Sequence, residues 1–167
     1  MSHFILISVG SNIDKEKHTT AGLNELELAF GELGLSPIYE SESVGFTGAS
    51  FFNLVVSAST DMSVDEVCRV LKKIEDNNGR VRGAKKFASR TLDLDLLTYD
   101  EVVSQEPIVL PREEILYNAF VLQPLADLVP THKHPIVKKD YRSLWADYDK
   151  QKQNLWVADY TWSSTQS

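Results

Sequence analysis

Two carboxylates follow a run of cations within one short stretch of this chain. Asp93 and Asp95 are spaced by two, and Arg80, Arg82, Lys85, Lys86 and Arg90 precede them with no acid between Arg80 and Arg90. The whole chain carries a net charge of −7, so this stretch reverses the prevailing sign. In a β-strand, side chains at i and i+2 share a face, with about 7 Å of rise between them. Asp93 and Asp95 would then share a face, and Leu92, Leu94 and Leu96 would point to the other, towards a core. Two carboxylates on one face suit a hard cation such as Mg²⁺, and clustered guanidinium groups suit phosphate oxygens. The ordinary alternative is two acids on the wet face of a strand beside a solvated basic turn. Asp is depleted in strands and like charges on one face repel, so the pair asks for a cation. The basic stretch lacks the mixed signs of a common surface loop. Nucleotide phosphates with their metals are the chemistry this combination implies.

The flanking sequence supplies the elements that must hold these groups. His3 to Val9 is a nearly continuous apolar run and predicts a central strand, with Gly10-Ser11-Asn12 as turn chemistry at its end. A helix is expected from Asp14 or Lys15 to Leu33, with Leu23, Leu26, Phe30 and Leu33 near one face and Gly34 after its last turn. A second strand is expected over Ile38 to Val44, then a turn-rich loop, then a third strand over Phe51 to Thr60, antiparallel to the second. Ser63 and Glu66 form a capping box ahead of a helix whose buried stripe is Val64, Val67, Leu71 and Ile74. The basic loop and the aspartate strand follow, and apolar residues on both sides of the acids predict a central position for that strand. The order β-α-β-β-α-β predicts an α+β, ferredoxin-like sheet with the helices packed on one face and a C-terminal extension. In that extension a short strand is expected over Glu101 to Val103, a turn and short helix over Pro111 to Tyr117, and helices over Phe120 to Leu128 and Tyr141 to Tyr148. At 167 residues, one domain over 1–160 with a disordered tail over 161–167 is the simplest organisation.

Composition narrows the function classes. The acidic balance argues against a general nucleic-acid binder, whose mark is a basic excess. No apolar run approaches the roughly 20 residues of a membrane span, and the Phe4 to Val9 run lacks the length and basic flank of a signal peptide. The single cysteine, Cys68, cannot pair within the chain and sits among apolar neighbours as a packing residue. A monomeric cytoplasmic protein with small-molecule substrates is the expectation. His132 and His134 lie two apart but have no cysteine or third histidine at zinc-ligand spacing. They are expected to be loop residues. Trp145, Trp156 and Trp162 are expected to pack or lie at the surface. Neither a P-loop nor a G-x-G-x-x-G fingerprint is present.

The stretch KFASRTLDLDLL, from Lys86 to Leu97, resembles the signature of the 6-hydroxymethyl-7,8-dihydropterin pyrophosphokinase family. Further blocks fit in the same order: Gly10-Ser11-Asn12, YESESVG from Tyr39 to Gly45, Phe52-Asn53, Ile74-Glu75, Gly79-Arg80-Val81-Arg82, and AFVLQPLA from Ala119 to Ala126. The likeness covers residues 3 to 130. It implies a ferredoxin-like fold and transfer of the β,γ-pyrophosphoryl group of ATP to a pterin hydroxymethyl group, leaving AMP, in folate biosynthesis.

The resemblance also implies roles. Asp93 and Asp95 would hold two Mg²⁺ ions, and Arg82 and Arg90 would join them as catalytic groups by stabilising charge on the moving pyrophosphate. Lys72, Glu75, Arg80, Arg82, Lys86, Arg90, Leu96 and Arg112 would bind ATP. Ser41, Glu42, Ser43, Val44, Phe51, Asn53, Phe87 and Phe120 would bind the pterin, with Asn53 on its hydrogen-bonding edge and aromatic rings on its faces. The chain departs from the family at Phe87 (usually Trp), Ala88-Ser89 (usually Gly-Pro), Ser43 (commonly Pro), Arg112 (usually His) and Asn118 (often Arg). Two alternatives stand beside the enzyme: a diverged paralogue with weak or altered pterin specificity, and a non-catalytic ferredoxin-like module that binds a small ligand. The retained aspartate pair speaks against the second, since binding alone needs no two-metal site.

Overall fold

The computed structural model describes residues 2–41, 50–78, 92–150 and 155–162. In chain order it forms β1 (His3–Ser11), α1 (Lys15–Phe30), β2 (Gly34–Leu35), β3 (Tyr39–Ser41), β4 (Phe51–Thr60), α2 (Val64–Asn77) and β5 (Asp93–Tyr99). A 3₁₀ turn (Glu113–Leu116), α3 (Ala119–Leu128), α4 (Tyr141–Asp147) and β6 (Leu155–Val157) complete it. The six strands make one antiparallel sheet in the order β5-β1-β4-β3-β6, with β2 also paired to β4. This is the ferredoxin-like order β-α-β-β-α-β with small additions.

Both faces of the sheet are covered. On one face α1 and α2 bury Ile5, Ile7, Val9, Leu54, Leu92, Leu94 and Leu96. On the other, α3 and α4 bury Leu6, Val55, Leu97, Val121, Leu122 and Leu125. The C-terminal extension is therefore the second layer of the domain, not an appendage to a one-sided sheet. Odd and even residues of β1 feed different cores, as strand alternation requires. Two covered faces also explain why the aspartate strand is apolar on both sides of its acids. That pattern suggested a central strand, but β5 lies at the sheet edge. One N–H of this edge strand is met from α2, where the buried Glu75 carboxylate accepts a 2.7 Å hydrogen bond from the Leu94 N–H.

Several boundaries differ from expectation for local reasons. β1 continues through Gly10 and Ser11, because both pair with β4. The first helix stops at Phe30, where Gly31 takes φ +83° and its N–H bonds the Glu27 carbonyl at 2.8 Å. Such a φ is open to glycine at no steric cost. Gly34, expected just beyond the helix, instead begins β2. Of the expected second strand, Tyr39–Ser41 is strand and 42–44 lie outside the described residues. The expected strand at 101–103 is not formed: Asp100 has φ +50° and starts a turn in which the Val102 N–H bonds Tyr99 O at 3.0 Å. The Ser63 capping box is present in both directions, at 3.2 and 3.0 Å. Among the described residues, no helix is long and apolar enough to cross a membrane.

The residues bracketing 79–91 are firmly placed. Asn78 donates to Glu25 of α1 at 2.8 Å and to the Ile74 carbonyl at 2.8 Å, and Leu92 is fully buried in the first core. Cys68 packs partly buried against that core, and burial pushes its thiol up. Trp162 is partly buried there too and donates to Asn24 at 2.8 Å. Trp145 stacks on Tyr148, and Trp156 is exposed on β6.

The two histidines part company. His132 is exposed and lies against Phe4, while His134 is 2% exposed. The His134 Nδ1 accepts from the Ile136 and Val137 N–H groups at 3.1 and 3.2 Å, and burial holds its pKa below the ordinary value. An acceptor nitrogen carries no proton, so the ring is a neutral structural clamp. A depressed histidine pKa favours the fold above its ordinary value near 6.5, and that contribution is lost as pH falls. His134→Ala is expected to cost about 2–3 kcal/mol in urea unfolding at pH 8, and less at pH 5. An equal cost at both pH values would contradict the neutral clamp.

Candidate active site

The sheet register assembles the site. Tyr39, Asn53, Gly10 and Asp93 stand in one row across β3, β4, β1 and β5. In the next row, Ser8 lies between Val55 and Asp95. Directly opposed residues share a face, and this face is the one beneath α3: the Tyr39 hydroxyl donates to Asp127 of that helix. Burial, then Asp127, pushes the Tyr39 hydroxyl well above its ordinary pKa, keeping it a donor.

Gly10 is the floor of the row. A Cβ there would lie 3.0 Å from Asn53 Oδ1. Without a side chain at this position, Asn53 and Asp93 face one another across two strand spacings, about 10 Å. Asn53 is buried, and its Nδ2 donates to Ser41 Oγ at 3.4 Å. Phe51 lies on the same face by alternation, and Phe120, in the first turn of α3, is half-buried against the second core. The row thus has an amide at one end and a carboxylate at the other.

At the acidic end, Asp95 is 27% exposed and Asp93 is half-buried. Burial first, and the neighbouring Asp93 charge second, push the Asp95 carboxyl up to about 7, against the pull of Arg112. Arg112 Nη2 lies 3.5 Å from Asp95 Oδ1 and 2.8 Å from Glu114 Oε1. The Arg112 backbone is tied to β5 by its N–H on the Leu97 carbonyl at 3.0 Å. Two carboxylates on one strand face, beside an arginine that Asp95 shares with Glu114, are a fitting place for a divalent cation with oxygen ligands.

Of the site residues expected from the sequence, Ser41, Phe51, Asn53, Asp93, Asp95, Arg112 and Phe120 lie on this one side of the sheet or at its rim. Glu75 approaches from the β5 edge, and Lys72 is exposed on α2. Leu96 is buried in the first core, so its side chain is not available to a ligand. Glu42, Ser43, Val44, Arg80, Arg82, Lys86, Phe87 and Arg90 lie outside the described residues. Asn118 caps α3 through its carbonyl, which accepts from Val121 and Leu122 at 3.1 and 2.9 Å. Gly10 and Glu114 were missed. A glycine inside a strand pattern signals close approach and could have flagged Gly10. No local pattern signals Glu114.

The 7,8-dihydro-6-hydroxymethylpterin-pyrophosphokinase family matches residues 6–130. A 2-amino-4-hydroxy-6-hydroxymethyldihydropteridine pyrophosphokinase of Aquifex aeolicus is 30% identical over 138 residues, covering 81% of this chain and 86% of the relative. One from Bacillus subtilis is 30% identical over 161 residues, covering 93% and 92%. The fold is similar to a crystal structure of an HPPK-DHPS protein with substrates, with a TM-score of 0.73 at 14% identity. That likeness covers 91% of this chain but 44% of the longer protein. The chain belongs to the 7,8-dihydro-6-hydroxymethylpterin-pyrophosphokinase family.

Proposed function

We propose that this chain transfers the β,γ-pyrophosphoryl group of ATP to the hydroxymethyl oxygen of 6-hydroxymethyl-7,8-dihydropterin, releasing AMP, with Asp93 and Asp95 as its Mg²⁺ ligands. Family membership supports the reaction, and one observation carries the placement: Asn53, Gly10 and Asp93 share a row. Asn53 is positioned to read the amide edge of a pterin lying over Gly10, held near Ser41 by its own hydrogen bond. The ring plane then runs towards the aspartates, so the exocyclic hydroxymethyl group is delivered to the acidic end. Phe51 and Phe120 supply aromatic surface on that side of the sheet.

Two Mg²⁺ ions, when bound, would neutralise phosphate charge and orient the attacking and leaving oxygens. Asp93 and Asp95 would hold those ions at the β5 edge. Arg112 adds a fixed cation at their rim, suited to phosphate oxygens. Arg82 and Arg90, from the basic segment, stabilise charge on the transferred group, and Lys72, Arg80 and Lys86 add positive potential for ATP. Glu75 holds the Leu94 main chain and so steadies the strand between the two aspartates. Positioning and electrostatics supply most of such a phosphoryl transfer. We further place the protein in the cytoplasm as a monomer, a single domain over 1–160.

³¹P NMR of a mixture with ATP, Mg²⁺ and the reduced hydroxymethylpterin is expected to show AMP and a pterin diphosphate in equal amounts. ADP as the product would contradict pyrophosphoryl transfer.

A further inference from the structure

One guanidinium nitrogen serves two acids at the rim of the site. Arg112 Nη2 is 2.8 Å from Glu114 Oε1, a full hydrogen bond, but 3.5 Å from Asp95 Oδ1, at the outer limit of one. The three side chains are similarly accessible, at 31%, 31% and 27% for Arg112, Glu114 and Asp95. The geometry therefore favours Glu114 through distance, not through a difference in exposure. The backbone holds this arrangement. Arg112 is extended and bonded to the Leu97 carbonyl, and Glu114 lies in the 3₁₀ turn that follows at once.

An arginine that settled fully on Asp95 would form a two-pronged pair with it and occupy the oxygens a divalent cation needs. Arginine cannot escape that role by losing its proton. We propose that Glu114 is a positioning residue for the metal site: it draws the Arg112 guanidinium aside so that a divalent cation, not the arginine, neutralises Asp93 and Asp95. This rests on the assignment of the two aspartates as metal ligands. Held on Glu114, Arg112 stays at the phosphate rim and leaves the aspartate oxygens to the cation they would hold.

The test is a Mn²⁺ titration followed by EPR at pH 8, on the native chain, Glu114→Gln, Arg112→Met and the double variant, each checked for fold by circular dichroism. Glu114→Gln is expected to weaken Mn²⁺ binding about fivefold, the scale of one favourable ion pair. Arg112→Met is expected to tighten it. In the Arg112→Met background, Glu114→Gln is expected to change it less than about twofold, because the competitor is gone. An equal loss in both backgrounds would overturn the proposal, since Glu114 would then act directly on the cation. So would no loss at all, or weaker binding in Arg112→Met. If Asp95→Asn leaves Mn²⁺ binding unchanged, the metal assignment itself fails, and the proposal fails with it.

Discussion

Asp95→Asn is expected to lower the rate of AMP formation by at least about a thousandfold at saturating substrates, while the melting temperature stays within a few degrees of the native value. The substitution keeps the shape of the side chain and removes its charge. Asp95 faces the site beside Ser8 in the sheet register, and burial with the neighbouring Asp93 raises the cost of its charge there. A fold keeps such a carboxylate only at a cost unless a cation shares the site. Because the residue is partly exposed and its strand is held by Leu94, Leu96 and Leu97 in two cores, loss of the charge leaves the packing in place. Initial rates together with thermal melts separate the two effects. Near-native turnover in Asp95→Asn would remove it from the chemistry.

Gly10→Val carries the next largest expected effect, and its signature is selective. The first atom of any side chain at position 10 would stand 3.0 Å from Asn53 Oδ1, and the valine methyl groups would fill the floor between Asn53 and Asp93. Valine is at home in a strand, so the sheet is not opposed to it. Pterin affinity, read by fluorescence quenching, is expected to fall at least about thirtyfold, roughly the loss of one well-placed hydrogen bond together with its stacking. Mg-ATP affinity is expected to change less than about threefold, because the basic segment and the aspartates are left unaltered. A parallel loss of both ligands would mean that the glycine supports the sheet as a whole and not the pterin floor.

What was legible in the sequence was local. The i, i+2 spacing of Asp93 and Asp95 puts both on one face whatever the sheet around them, and the capping box at Ser63 depends only on its own turn. Motif blocks carried the family. Sheet order is a different matter, since it is decided by pairings far apart in sequence. Leu94 and Leu96 of β5 face one core and Leu97 the other, and that two-sided burial is the mark of a central strand. It arose here at an edge because α3 and α4 cover the second face. The role of Gly10 depends on Asn53 arriving from a strand about forty residues later. The Arg112–Glu114 contact depends on a short 3₁₀ turn whose neighbours across space are not readable from its letters. At Leu96 two expectations conflict: strand alternation turns its side chain to the core, where it is buried, while the family likeness puts it at the ATP site.

The most direct test of the proposed two-metal pair is anomalous diffraction from crystals grown with Mn²⁺, a non-hydrolysable α,β-methylene analogue of ATP and the hydroxymethylpterin. Two manganese peaks are expected within ligand distance of the Asp93 and Asp95 carboxylates, with the pterin lying over Gly10 and its amide edge on Asn53. Peaks held by the phosphates alone, with both aspartates turned away, would contradict the account.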